Sequence, residues 1–214
     1  MFEDRTAAGA ALAEKLGEYR DRKDVVVLGL PRGGVPVAYE VARALGAELD
    51  VLLVRKIGVP YQPELAMGAI ASGGAVYVNT EVMRMSGATQ EEFDAVLARE
   101  REELGRREKL FRGDRPPLEL HGRVAIVVDD GIATGSTVRA ALLALRSLKP
   151  ARCVVAVPVA PADAAERMAD VTDAFVCVQA PEDFRAVGQF YRDFAQTTDA
   201  EVRELLARAH ARRE

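Results

Sequence analysis

The run Val127-Val128-Asp129-Asp130-Gly131-Ile132-Ala133-Thr134-Gly135-Ser136-Thr137 gathers more potential chemistry than any other stretch of the chain. An apolar segment, read as a strand, delivers two carboxylates at its C-terminal end. A short loop follows, with Gly131 and Gly135 and the hydroxyls of Thr134, Ser136 and Thr137. A helix is expected next. In an open α/β sheet, ligands bind at this edge. Glycines let backbone amides close on an anion, and a helix N-terminus adds partial positive charge. Residues 131–137 are therefore expected to cradle a phosphate monoester. Asp129 and Asp130 repel phosphate and need donors, which ribose hydroxyls would supply. One ligand with a 5′-phosphate and two ring hydroxyls would satisfy the whole stretch. The segment GIATGST has neither the spacing and lysine of a Walker loop nor a GxGxxG turn.

A second strand–glycine–helix junction stands at Pro31-Arg32-Gly33-Gly34. Its glycines free backbone amides, and Arg32 offers a forked cation to phosphate oxygens. Alone it would read as an ordinary strand–helix turn; beside the first loop it reads as a second anion site. Arg55 and Lys56 then close an apolar run, followed by a Pro/Gly-rich stretch at 57–70. Lys56 stands out because the chain has five lysines against 24 arginines. The plain alternative is that both cations end a strand in solvent. Flexible loops carrying cations often close over phosphates.

These loops need a frame. Short, almost wholly apolar runs occur at 25–30, 49–54, 75–78, 124–128, 153–159 and 174–178. Strands buried on both faces look like this, so the fold class expected is α/β, an open, mostly parallel sheet flanked by helices. Helices are expected at 4–19, 35–45, 90–111, 137–148 and 162–168. Thr89 and Glu92 form a capping-box pattern before the third of these. That helix reads as having one buried stripe and one solvated charged face; a dimer arm, or a lid carrying Arg112 or Arg115 to a ligand, is the sharper alternative. In the aromatic-rich stretch 184–194, Phe190, Tyr191 and Phe194 read mainly as helix core, while Phe184 follows a sheet edge.

The chain has 214 residues, 49% of them apolar and 29% charged, with net charge −4. This suits a single globular domain and disfavours disorder, a disulfide framework or nucleic acid as a partner. No apolar run approaches the roughly 20 residues that span a bilayer. Cys153 and Cys177 sit in apolar runs and read as reduced core residues of a cytoplasmic protein. No HExxH, Cys/His cluster or GxSxG elbow points to a zinc site or a Ser-His-Asp hydrolase.

VVDDGIATGST resembles the phosphoribosyl pyrophosphate (PRPP) signature of the type I phosphoribosyltransferases. Pro31–Gly34 is similar to that family's pyrophosphate loop, and RKIGxPxxPELAxGA to a subgroup of uncharacterised substrate. The resemblance covers roughly residues 24–70 and 123–140. It implies a single domain over 1–214, with a core at about 20–160 and a small hood at about 161–214 plus the N-terminal helix. It implies that Asp129 and Asp130 hold the ribose hydroxyls and that Gly131 to Thr137 bind the 5′-phosphate. Arg32, Gly33, Gly34 and Lys56 would bind pyrophosphate, with Arg32, Arg55 and Lys56 assisting its departure under a mobile loop. A cis peptide at Pro31–Arg32 is expected. Mg²⁺ would be held mainly by PRPP oxygens and water, with Asp129 and Asp130 reaching it through water. Phe184 is the preferred aromatic face for the acceptor base, and Asp193 a weaker candidate for a second magnesium contact. Ala133 stands where 6-oxopurine enzymes carry an aspartate, which argues against those purines. The partners implied are PRPP, a small-molecule base and a second copy of the chain in a homodimer. Two other readings stay open: a PRPP-binding sensor without transfer, and a subunit using these loops only for packing.

Overall fold

Residues 1–212 are described by a computed structural model. In chain order the elements are α1 (Arg5–Lys15), β1 (Val25–Gly29), α2 (Gly34–Leu45), β2 (Glu48–Val51), β3 (Val54–Val59), β4 (Gln62–Ala71) and β5 (Ala75–Val78). There follow α3 (Thr80–Ser86), α4 (Gln90–Arg112), β6 (Val124–Val128), α5 (Ser136–Leu145), β7 (Arg152–Val159), α6 (Ala164–Met168), β8 (Ala174–Gln179) and α7 (Asp199–Ala211).

Five strands make one parallel sheet in the order β2-β1-β6-β7-β8. Their apolar runs are continuous because both faces are covered, and successive side chains serve opposite layers. Val25, Val27, Ile126, Val128, Val154 and Ala156 pack with Leu12, Leu16, Val41, Leu45, Val202 and Leu206 on the side of α1, α2 and α7. Val26, Leu28, Ala125, Val127, Val155 and Val157 pack with Val138, Leu142, Leu145 and Met168 on the side of α5 and α6. Cys153 and Cys177 are free thiols, and burial pushes Cys153 up to about 11. β8 carries the sheet past residue 160, and residues 213 and 214 of the expected hood lie outside the described residues.

The stretch expected as a cation-bearing loop is a hairpin. β3 and β4 pair antiparallel, and β5 completes a three-stranded sheet. The run at 75–78 therefore belongs to this second sheet, not the parallel one. Its Pro and Gly residues are strand-compatible here for local reasons. Pro63 lies in the part of β4 that β5 does not reach, where a missing N–H costs little. A Cβ on Gly58 would stand 2.3 Å from the Pro63 carbonyl oxygen, at an irregularity in the register. Gly68 likewise clears room for the Phe93 ring of α4, which a Cβ would meet at 2.9 Å. Two short or polar helices, α3 and α7, were not expected. Phe190, Tyr191 and Phe194 lie outside helix α7, in a 3-10 turn and extended chain.

Helix α4 has the capping box at Thr89 and Glu92, and it buries Phe93, Val96, Leu104 and Phe111. It is no lid over a ligand at Arg112. That guanidinium is buried and binds Asp50 of β2 through Nε (3.0 Å) and NH2 (2.9 Å), and donates also to the Pro116 carbonyl at 2.7 Å. Removing one partner would strand a buried charge. Arg112→Met is expected to cost about 3–5 kcal/mol in denaturant unfolding, whereas Arg22→Met, at the exposed Asp24 pair, should leave the unfolding midpoint close to that of wild type.

Candidate functional site

β1 and β6 are parallel neighbours in register, with Gly29 opposite Val128. Both junctions singled out in the sequence therefore leave the same edge side by side. The peptide Pro31–Arg32 is cis. The turn then passes so close to the acids that only glycine fits: a Cβ on Gly34 would lie 2.7 Å from the Val128 carbonyl oxygen, and one on Gly33 2.1 Å from Asp130 Oδ2.

After Asp130, Ile132 and Val138 are anchored in the core, while Ala133, Thr134, Ser136 and Thr137 are exposed between them. The Ile132 N–H donates to the Val159 carbonyl at 3.0 Å, tying the loop to the end of β7. Gly135 takes φ +74°, the left-handed region that favours glycine, and α5 begins after it with no side-chain cap. Asp129 and residues 131–138 thus line a small cavity of about 130 Å³ at the start of α5. An amide-lined cup at a helix start suits an anion.

Asp129 Oδ1 accepts the Asp130 N–H at 2.9 Å. Burial and the adjacent Asp130 charge hold the Asp129 carboxyl well above the usual aspartate range. Burial also raises Asp130, against the lowering effect of a cation. That cation is Arg5, the first residue of α1. Its Nε and NH2 both lie 2.9 Å from Asp130 Oδ2. Tyr191 Oη donates to the Asp130 carbonyl at 2.6 Å, and burial pushes its phenol well above the ordinary range.

The cations divide. Lys56 Nζ lies 3.0 Å from Ser136 Oγ, on the 131–137 loop and not on the Pro31–Gly34 turn. Arg55, expected to act beside it, instead pairs with Glu100 of α4 at 2.8 Å. Adjacent strand residues point to opposite faces, so the two side chains leave β3 in different directions. Arg32 is partly exposed, with NH1 3.6 Å from Asp199 at the start of α7. Phe184 stacks on Phe190 with ring centroids 5.7 Å apart, in a cluster with Phe2, Val187 and Tyr191. Asp193 accepts the Ala195 N–H at 2.9 Å, closing its own turn. The sequence reading missed Arg5 and Asp199 and took Tyr191 for helix core.

The family model for the phosphoribosyl transferase domain matches residues 2–195. The chain belongs to this family. It is 50% identical over 210 residues to a protein of Mycobacterium tuberculosis strain H37Rv provisionally named a phosphoribosyl transferase, and equally to that of strain CDC 1551. The match covers 98% of this chain and 47% of each relative, so the chain spans about half the length of the curated relatives it matches. The crystal structure of TT1426 from Thermus thermophilus is 45% identical, with a TM-score of 0.86 over 97% of this chain and 98% of that one. No described helix is long and apolar enough to cross a membrane.

The raised Asp129 carboxyl has a consequence for stability. Between the ordinary value of 3.8 and the raised one, the folded chain keeps a proton that the unfolded chain has lost, so stability falls as pH rises through that window. Asp129→Asn keeps the Oδ1 acceptor and removes the charge. Its thermal midpoint should exceed wild type by a few degrees near pH 8 (about 2–4 °C per kcal/mol at this size), with the gap closing near pH 4.

Proposed function

We propose that this phosphoribosyl transferase family member moves the 5-phosphoribosyl group of PRPP to a nitrogenous base and releases pyrophosphate. The observation that carries this reading is the pairing of two anion-binding turns, Pro31–Gly34 and 131–137, on neighbouring parallel strands, with Asp129 and Asp130 between them. The separation of roles suits one ligand with a phosphate at each end and a diol in the middle. The 131–137 amides and hydroxyls receive the 5′-phosphate, and Asp129 and Asp130 accept from the ribose hydroxyls.

In the reaction, the base nitrogen forms a bond to C1 as the bond to the pyrophosphate oxygen breaks, leaving the electron pair on pyrophosphate. Negative charge grows on the leaving group while the ribose ring becomes oxocarbenium-like. Arg32 and the amides of the glycine turn face the leaving group, and Arg32 turns from Asp199 to do so. Lys56 spans from the hairpin to the 5′-phosphate loop. Arg55 serves as a strut through Glu100 and not as a ligand for pyrophosphate. The carboxyl oxygens of Asp129 and Asp130 suit a hard cation, but Asp130 is already engaged by Arg5. They fit Mg²⁺ held chiefly by PRPP oxygens and water, at most through a water to these acids. When bound there, Mg²⁺ would neutralise charge on the departing pyrophosphate. The nature of the base is left to measurement.

Titration calorimetry with PRPP and Mg²⁺, combined with pyrophosphate release across a panel of bases, tests this. Binding with release is the expected result, and Asp130→Asn should weaken PRPP binding about tenfold or more. Binding without release from any base would favour a sensor. Absence of PRPP binding would reject the site as read.

A further inference from the structure

Arg5 is the first residue of α1, where a cation is disfavoured by the helix dipole. Its place has to be explained by what it touches. Helix α1 lies unusually close to α2: a Cβ on Gly9 would be 2.8 Å from both Glu40 Cβ and the Val37 carbonyl oxygen. That approach brings the start of α1 to the sheet edge, where the Arg5 side chain is 12% exposed. Each end of the guanidinium is committed. Nε and NH2 hold Asp130 Oδ2, NH1 donates to the Ala195 carbonyl at 2.7 Å, and the group lies 4.1 Å from the Phe194 ring centroid.

The backbone beneath it is zipped. Phe2 donates to Phe190, Arg192 donates back to Phe2, and Asp193 donates to Glu3. So residues 2–5 and 190–195 form one wall against the acid pair, and Arg5 is the member of it that reaches a carboxylate. By taking Oδ2, it fixes the rotation of the Asp130 carboxyl beside that of Asp129, with which it also shares a side-chain hydrogen bond. Asp129 is held in the same manner, with Oδ1 on the Asp130 N–H. Arg5 and the Asp130 N–H thus each hold one carboxylate oxygen of the pair.

We propose that Arg5 is a positioning residue for the ribose diol: it acts through Asp130 and sets the carboxylate orientation that receives a ring hydroxyl. This rests on the reading of Asp129 and Asp130 as ribose acceptors. It assigns to the N-terminal helix a direct part in ligand selection, for ligands bearing a cis-diol.

The test is calorimetry of the full chain with three probes: PRPP with Mg²⁺, ribose 5-phosphate, and pyrophosphate with Mg²⁺. Arg5→Ala should weaken PRPP and ribose 5-phosphate by about tenfold or more, the scale of a lost charge-assisted contact, and leave pyrophosphate within about twofold. Arg5→Lys, which keeps one donor, should recover most of the loss. Combined with Asp130→Asn, Arg5→Ala should add almost nothing, since a residue acting through Asp130 has no separate effect once Asp130 is altered. Arg192→Ala breaks the exposed Glu3 pair on the same wall and should leave all three affinities unchanged. Equal losses for all three probes, additivity with Asp130→Asn, or an Arg192→Ala loss matching that of Arg5→Ala would overturn the proposal. If wild type binds none of the probes, the ribose reading itself falls, and the role of Arg5 falls with it.

Discussion

Two neighbouring carboxyls at the end of an apolar strand repel each other and resist burial, and much of this molecule is arranged around keeping them there. Burial works against the charged form of both. Against this the fold supplies one backbone N–H, one arginine from a helix more than a hundred residues away, and a glycine turn pressed against both. The central strands β1 and β6 must be adjacent and parallel for that turn to arrive. The helices α1 and α2 must be close for the arginine to arrive. Stability given up at a polar cluster of this kind is the usual mark of a place kept for binding.

The second sheet solves a different problem. Lys56 has to reach the 131–137 loop, and a hairpin packed against α5 is a stiff way to carry it. α4 backs the hairpin, with Phe93 seated on Gly68 and Glu100 holding Arg55. The buried Asp50–Arg112 pair then fixes the far end of α4 to the main sheet. Arg55 and Arg112, through Glu100 and Asp50, both hold this bracket in place.

The parallel sheet and both glycine junctions were legible because their signals are local: continuous apolar runs, and glycines at strand–helix boundaries. The hairpin was hidden by its own Pro and Gly, which are tolerated only because β5 stops short of Pro63 and the register breaks at Gly58. α7 did carry a signal, the capping pair Thr198 and Glu201 followed by Val202, Leu205, Leu206 and Ala209, but its high charge masked it. Arg5 offered only a faint cue, a cation at a helix start. Its partner Asp130 is set by tertiary packing, which no window of sequence reports. The aromatic stretch at 184–194 announced burial correctly for Tyr191 but not its hydrogen bond to the strand end.

The wall over the acid pair joins segments far apart in the chain, with a sequence separation of 190 between Arg5 and the carbonyl it binds. Closing so long a loop carries an entropic cost that the contacts of the wall must meet by themselves. None of the strand pairings of the parallel sheet runs through the wall. The free energy of opening the wall can accordingly be smaller than that of unfolding the sheet, which makes residues 2–5 and 190–195 a separate cooperative unit resting on a finished scaffold.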